Sequence, residues 1–364
     1  MNYRFIRNVI LKGLLLFLVF NFAWAMFAGN NQGRFSLYNS LFKGRERLPY
    51  GENPAESYNL SLYDIEAMLA SHQLDGTPKG PGEYRVIVLG DSSTWGTLLK
   101  PEETLVGVLD AAGLQTGDGR RVQVYNLGYP TLSLVKDLML LEEAMRYAPD
   151  LILWPVTLES FPRGNQLASP IVANNPARVN ELISKYNLDL DPLEEHPNFW
   201  QRTLIGQRRP LADRLRLQYY GVMWSATGID QAYPADYTPA QRDLENEVVY
   251  YNWQPPEIPA DGLAMDVLDA GMQMAGEVPV ILVNEPILVS EGENSDIRYN
   301  FYYPRWVYDA YRQAFNTVCS TNGWTCLDLW DIVPQEHFTN TAIHRDAYGE
   351  QIFAGRLIES SLLP

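Results

Sequence analysis

Residues 85–96 read RVIVLGDSSTWG. A Val/Ile-rich run stops at Gly90 and gives way at once to Asp91, Ser92, Ser93 and Thr94. Two roles fit Ser92 at this place. Serine directly after a strand is an ordinary helix cap, its side-chain oxygen accepting a backbone N–H. Equally, a hydroxyl at the carboxyl end of a strand and the start of a helix lies where N–H groups and the helix dipole favour developing negative charge, and there a nucleophile is useful. A serine nucleophile needs a base. His344, in FTNTAIHRDAYGEQIFAGRLIESSLL, precedes a late helical pattern and falls on the same sheet edge, so the two side chains can meet.

The elements that must position them follow from periodicity. Strand patterns occur at 84–90, 121–128, 150–156, 278–284 and 324–330, each a short Val/Ile/Leu-rich run of the kind buried on both faces of a parallel sheet. Helical patterns lie between them, including PEETLVGVLDAAG with Pro101 at its start, LSLVKDLMLLEEAMRYA and PRWVYDAYRQAFNTV. Strand and helix in alternation indicate an open α/β sheet. Residues 161–275 break the rhythm and read as a helical insertion between strands 3 and 4, either covering the crevice or padding the outside of the sheet. The expected organisation is a signal segment at 1–28, a linker and extension at 29–83 that includes an extended stretch at 46–54 and a short helix at 62–72, and one domain at 84–364.

In its motifs the sequence resembles the SGNH, or GDSL-like, hydrolase family. The resemblance is carried by GDSS at 90–93, by NLGYP with Asn126, Leu127 and Gly128, and by AIHRDAYGEQIFA with His344 and Gly349, in family order over 84–363 with the insertion set aside. It implies a three-layer flavodoxin-like sandwich around a central parallel five-stranded sheet, and ester chemistry with no cofactor. Ser92 would attack the ester carbonyl and His344 would take its proton. The oxyanion would be held by the N–H groups of Ser92 and Gly128 and by an asparagine side chain. Two positions depart from the family pattern. Where the third block carries Gly-x-Asn, Thr157 and Glu159 stand, and a Glu159 carboxylate repels an oxyanion unless protonated or turned away. The acid three residues before the histidine is replaced by Thr341. That leaves Thr341, Asn340, a backbone carbonyl or the more distant Asp331 to orient His344, or else a Ser-His dyad. Loss of the orienting acid costs about 10⁴ in turnover where a triad depends on it.

Composition bounds the alternatives. The 364 residues are 46% hydrophobic, ample for a packed core, and the net charge of −16 argues against wrapping nucleic acid. Arg4, Arg7 and Lys12 precede an apolar stretch broken by Asn21, which places the rest of the chain outside the cytoplasm, behind either a retained signal anchor at 9–27 or a signal peptide cleaved after Ala25. Cys319 and Cys326 flank an Asn322-Gly323 turn, and in an exported chain a disulfide closes it. Two cysteines and four histidines without ligand spacing give no metal site. His72, His196 and His337 read as surface or cap residues. Trp95 and Tyr129 line a groove or pack, Asn284 and Glu285 bind at a strand end or simply end it, and the tyrosines of DIRYNFYYPRW stack on sugar or tie the insertion to the sheet.

The expectation is an exported serine esterase or acyltransferase acting through an acyl-enzyme on an O-acyl group of a cell-envelope glycan or lipid. Its partners would be that substrate, the membrane through the N-terminal segment and a membrane acyltransferase. The alternative is a non-catalytic module of the same fold that binds envelope polysaccharide.

Overall fold

The computed structural model describes residues 2–27, 37, 41, 63, 65–70, 74, 78–194, 198–227 and 236–364. The expected extended stretch at 46–54, His72 and His196 lie outside the described residues. Helix α1 (Tyr3–Phe27) and the short α2 (Ile65–Ala70) precede β1 (Glu83–Val88), α3 (Ser92–Trp95), α4 (Leu105–Ala111), β2 (Arg121–Asn126), α5 (Leu134–Ala144) and β3 (Leu151–Val156). Then come α6 (Pro170–Ala173), α7 (Pro176–Tyr186), α8 (Arg208–Thr227), α9 (Met265–Ala275), β4 (Val280–Asn284), α10 (Arg305–Asn322), β5 (Thr325–Asp328) and α11 (Ala347–Glu359).

The five strands form one sheet in the order β2-β1-β3-β4-β5, every neighbouring pair parallel. Val86 sits opposite Val124 and Leu151, and Leu153 opposite Ile281. Alternate strand residues feed opposite faces. Ile87, Ile152, Trp154 and Leu282 join the side chains of α5, α9 and α10 in one core. Val86, Val88, Leu153 and Val283 join those of α4 and α11 in the other. Two buried faces explain why the strands read as continuous apolar runs rather than alternations. The order reverses between β1 and β3, which places a crevice outside the carboxyl ends of those strands.

The strands are shorter than their sequence patterns. Beyond β1 and β2 the chain still hydrogen-bonds to its neighbours, Leu89 N to Leu153 O at 2.9 Å and Leu127 N to Val88 O at 2.8 Å. Gly90 then turns away at φ +137°, where a Cβ would meet Thr94 Oγ1 at 2.3 Å. Only glycine fits that position. Between β3 and β4 the described residues hold helices and isolated bridges, Pro162–Leu263 and Tyr250–Trp253. Helix α9 packs into the sheet core, where the absent side chain of Gly271 leaves room for Trp154, so the last part of 161–275 belongs to the layer itself. Cys319 at the end of α10 is bonded to Cys326 in β5.

Candidate active site

The loop after β1 positions Ser92. Asp91, not Ser92, is the cap of α3: its side chain accepts the Ser93 N–H at 2.7 Å, which leaves the Ser92 hydroxyl available. The Ser92 N–H donates to no described residue. Beneath this turn lies Lys136 of α5, fully buried, whose ammonium donates to Gly90 O at 2.6 Å and Tyr129 O at 3.3 Å and pairs with Asp137 at 2.5 Å. One side chain thus ties the loops after β1 and β2 together. Its trace in the sequence is a charged pair inside the apolar pattern LVKDLML.

His344 arrives on the loop between β5 and α11. A tight turn holds it: Thr339 N donates to His344 O at 2.8 Å, Asp346 N to His337 O at 2.9 Å, and the Thr341 hydroxyl accepts the His344 N–H at 3.2 Å. His344 Nε2 stands 2.7 Å from Ser92 Oγ, and Nδ1 stands 2.9 Å from Asn340 Oδ1. An amide oxygen only accepts, so Nδ1 carries the proton and Nε2 presents its lone pair to the serine O–H. Asn340 is therefore the group on the imidazole. Thr341 shapes the backbone instead, and Asp331 is exposed after β5.

Buried charged side chains behind Ser92 and His344 couple the two loops. The residue after Ser92, Ser93, donates its hydroxyl to Glu285 Oε2 at the end of β4. The residue after the histidine, Arg345, reaches the same Oε2 at 3.2 Å and Glu350 of α11 at 3.2 Å. All three charged side chains are buried. Burial pushes the Glu285 carboxyl up to about 8, with Asp91 adding to the rise and Arg345 opposing it. Burial also takes Glu350 up to about 7 against the pull of Arg345. One guanidinium between two buried carboxylates leaves an excess negative charge that a proton relieves.

The expected oxyanion donors are differently placed. Gly128 packs against α3 so closely that a Cβ would meet Trp95 N at 2.4 Å, and its N–H donates to Asn126 Oδ1 at 2.9 Å. Asn126 Nδ2 in turn donates to Thr94 O at 2.8 Å. At the third-block position Glu159 turns toward the insertion, accepting hydrogen bonds from the Tyr250 hydroxyl at 2.7 Å and from the Tyr251 hydroxyl. Burial raises its carboxyl pKa while the two tyrosines oppose the rise. Thr157 Oγ1 lies 3.2 Å from the Tyr303 hydroxyl.

The remaining candidates are mostly structural. Trp95 and Tyr129 are buried, and Asn284 accepts from Tyr308 and Tyr311 while donating to Asp328. Arg298 and Trp306 of the tyrosine-rich segment donate to Glu247 O and Val248 O, tying 247–248 down. His337 bonds Asp346, the cap of α11, at 3.1 Å. Among the described residues no group of three or more His, Cys, Asp or Glu is arranged to hold a metal ion.

No protein-family model matches the sequence, and no curated protein matches it. Solved structures similar to it include a member of the lipolytic G-D-S-L family from Veillonella parvula, 12% identical over 76% of this chain and 96% of that one, with a TM-score of 0.35. A carbohydrate acetylesterase from Sinorhizobium meliloti is 12% identical over 76% of this chain and 97% of its own, with a TM-score of 0.34. The aryl esterase of M. smegmatis is 13% identical over 76% and 97%, with a TM-score of 0.34.

Proposed function

We propose that the protein is an exported, membrane-anchored serine esterase or O-acyltransferase in which Ser92 is the nucleophile, His344 the general base and Asn340 the group that orients it. The observation that carries this reading is the relay from Ser92 Oγ to His344 Nε2 at 2.7 Å and from Nδ1 to Asn340 at 2.9 Å. In the first step Oγ bonds to the ester carbonyl carbon as its proton passes to Nε2. The Ser92 N–H faces the growing oxyanion. The Gly128 N–H joins it when Asn126 Oδ1 gives way. Collapse expels the alcohol, which takes the proton from Nε2 and leaves an acyl-serine. Water then yields the acid, and a sugar hydroxyl at the same point yields a new ester. The substrate class, an O-acyl group on an envelope glycan or lipid, is supplied by the motif resemblance to SGNH hydrolases.

A neutral asparagine fixes the tautomer but stabilises the imidazolium less than a carboxylate does, so a slow or specialised enzyme is expected. The occupied Gly128 N–H and the turned Glu159 favour a second reading, a glycan-binding module that keeps the fold. A fluorophosphonate probe separates the two. Catalysis requires covalent labelling at Ser92, lost in Ser92→Ala and in His344→Ala. Ser93, buried and bonded to Glu285, stays unlabelled. A folded wild-type protein that no short-chain probe labels leaves the binding module.

A further inference from the structure

Helix α8 presents an exposed apolar stripe. Positions 208, 212, 215, 219, 223 and 226 are all exposed and recur at the spacing of one helical stripe. Leu215 is 68% exposed, Tyr219 62% and Met223 45%, and on the preceding segment Trp200 is 65% and Ile205 51% exposed. On its other side α8 buries Asp213, paired with Arg216 at 2.8 Å, close enough to the loop after β2 that both charges act on the buried Tyr129 hydroxyl.

The same segment meets the end of α1. Ile205 N donates to Asn21 Oδ1 at 3.2 Å, and the Phe22 ring lies 5.2 Å from Phe199 and 6.4 Å from Trp200. Helix α1 has a mean hydropathy of 2.1 and almost no burial. At ~1.5 Å per residue its 25 residues span about 37 Å, more than the ~30 Å of a hydrocarbon core. Asn21 therefore lies within about 9 Å of the helix end, at the ~5–10 Å depth that interfacial helices reach. Charge agrees: residues 198–227 carry five arginines and one aspartate in a chain whose net charge is −16.

We propose that the exposed face of α8, with Trp200 and Ile205, lies in the headgroup region of an anionic bilayer beside the outer end of α1, holding the loop that carries Gly128 and Tyr129 next to the lipid surface. The proposal rests on reading α1 as a retained anchor. An apolar stripe flanked by arginine and tryptophan is the composition that binds such an interface.

The test uses the full chain in phosphatidylglycerol nanodiscs, with a fluorophore at Leu215→Cys, Met223→Cys, Leu16→Cys in α1, or Glu359→Cys on α11 at the opposite sheet face. The labels at 215 and 223 should be quenched by lipid bearing a shallow doxyl group more than by a deep one. Their iodide quenching should fall by about threefold or more relative to 359. Replacing phosphatidylglycerol with phosphatidylcholine should weaken the lipid quenching at 215, because the arginines lose their counter-charge. Quenching at 16 with an iodide-accessible 215 overturns the proposal and leaves the anchor. Shielding from iodide without lipid quenching also overturns it, since a second copy or another protein then covers the face. A label at 16 that no lipid quencher reaches refutes the anchor itself, and the proposal with it.

Discussion

The imidazole of His344 is held by an amide where a carboxylate would serve the proposed base better, and that fixes what two neighbouring substitutions should do. Asn340→Asp places an anion on Nδ1–H, so fluorophosphonate labelling should accelerate by about tenfold or more, because a carboxylate stabilises the imidazolium more than an amide oxygen that already fixes the tautomer. Thr341→Asp should not accelerate it, because that side chain binds the backbone N–H groups of Ile343 and His344 rather than the ring. Acceleration by the second and not the first would reassign the orienting group. The carboxylates around Arg345 set a pH dependence. An unfolded glutamate titrates near ~4.3, whereas Glu285 is pushed up to about 8 and Glu350 up to about 7, so between these limits the folded chain keeps protons that the unfolded chain has lost. Stability must then fall as pH rises through that window. The urea midpoint should drop from pH 5 to pH 8.5, and Glu285→Gln should flatten the slope. A midpoint that rises over this range with the same slope in the variant would refute the assignment.

At the scale of elements, the loops after β1 and β2 work as one unit because Gly128 packs on α3. Gly128→Ala drives a Cβ against Trp95 N, so labelling of Ser92 should be lost while the sheet survives, with circular dichroism unchanged as the check. The Cys319–Cys326 bond joins α10 to β5 across a short loop, and Cys319→Ser with Cys326→Ser should cost about 2 kcal/mol, read from urea melts with an unchanged m-value. These elements also show what a sequence reveals. The apolar runs, the turn at Gly90 and the places of Ser92 and His344 are local patterns, written within a few residues of themselves. In the sequence Asn340 is one of several candidates, because four residues of separation say nothing of a turn whose closing bond is Thr339 N to His344 O. The partners of Glu159 lie more than 90 residues away in the insertion, and Lys136 reaches two loops from a helix whose sequence shows a charged pair but not what it binds. Long-range pairing of that kind leaves no spacing to read.

On the scale of the whole molecule, two features far apart in the chain bear on location. On the proposed reading, Arg4, Arg7 and Lys12 at the start of α1 stay in the cytoplasm, and the disulfide at the other end of the chain calls for an oxidising compartment. If α1 is retained, the domain from β1 onward is tethered outside the membrane by a helix whose last turns hydrogen-bond to the insertion through Asn21 and Ile205. Protease added to intact spheroplasts should therefore digest the domain and leave a membrane-bound fragment of a few kilodaltons, while carbonate extraction before digestion should leave the full chain in the pellet. Cleavage after Ala25 predicts a different pair of results, a soluble domain and no fragment. Complete protection from protease would put the domain in the cytoplasm, where the two cysteines should then titrate as free thiols.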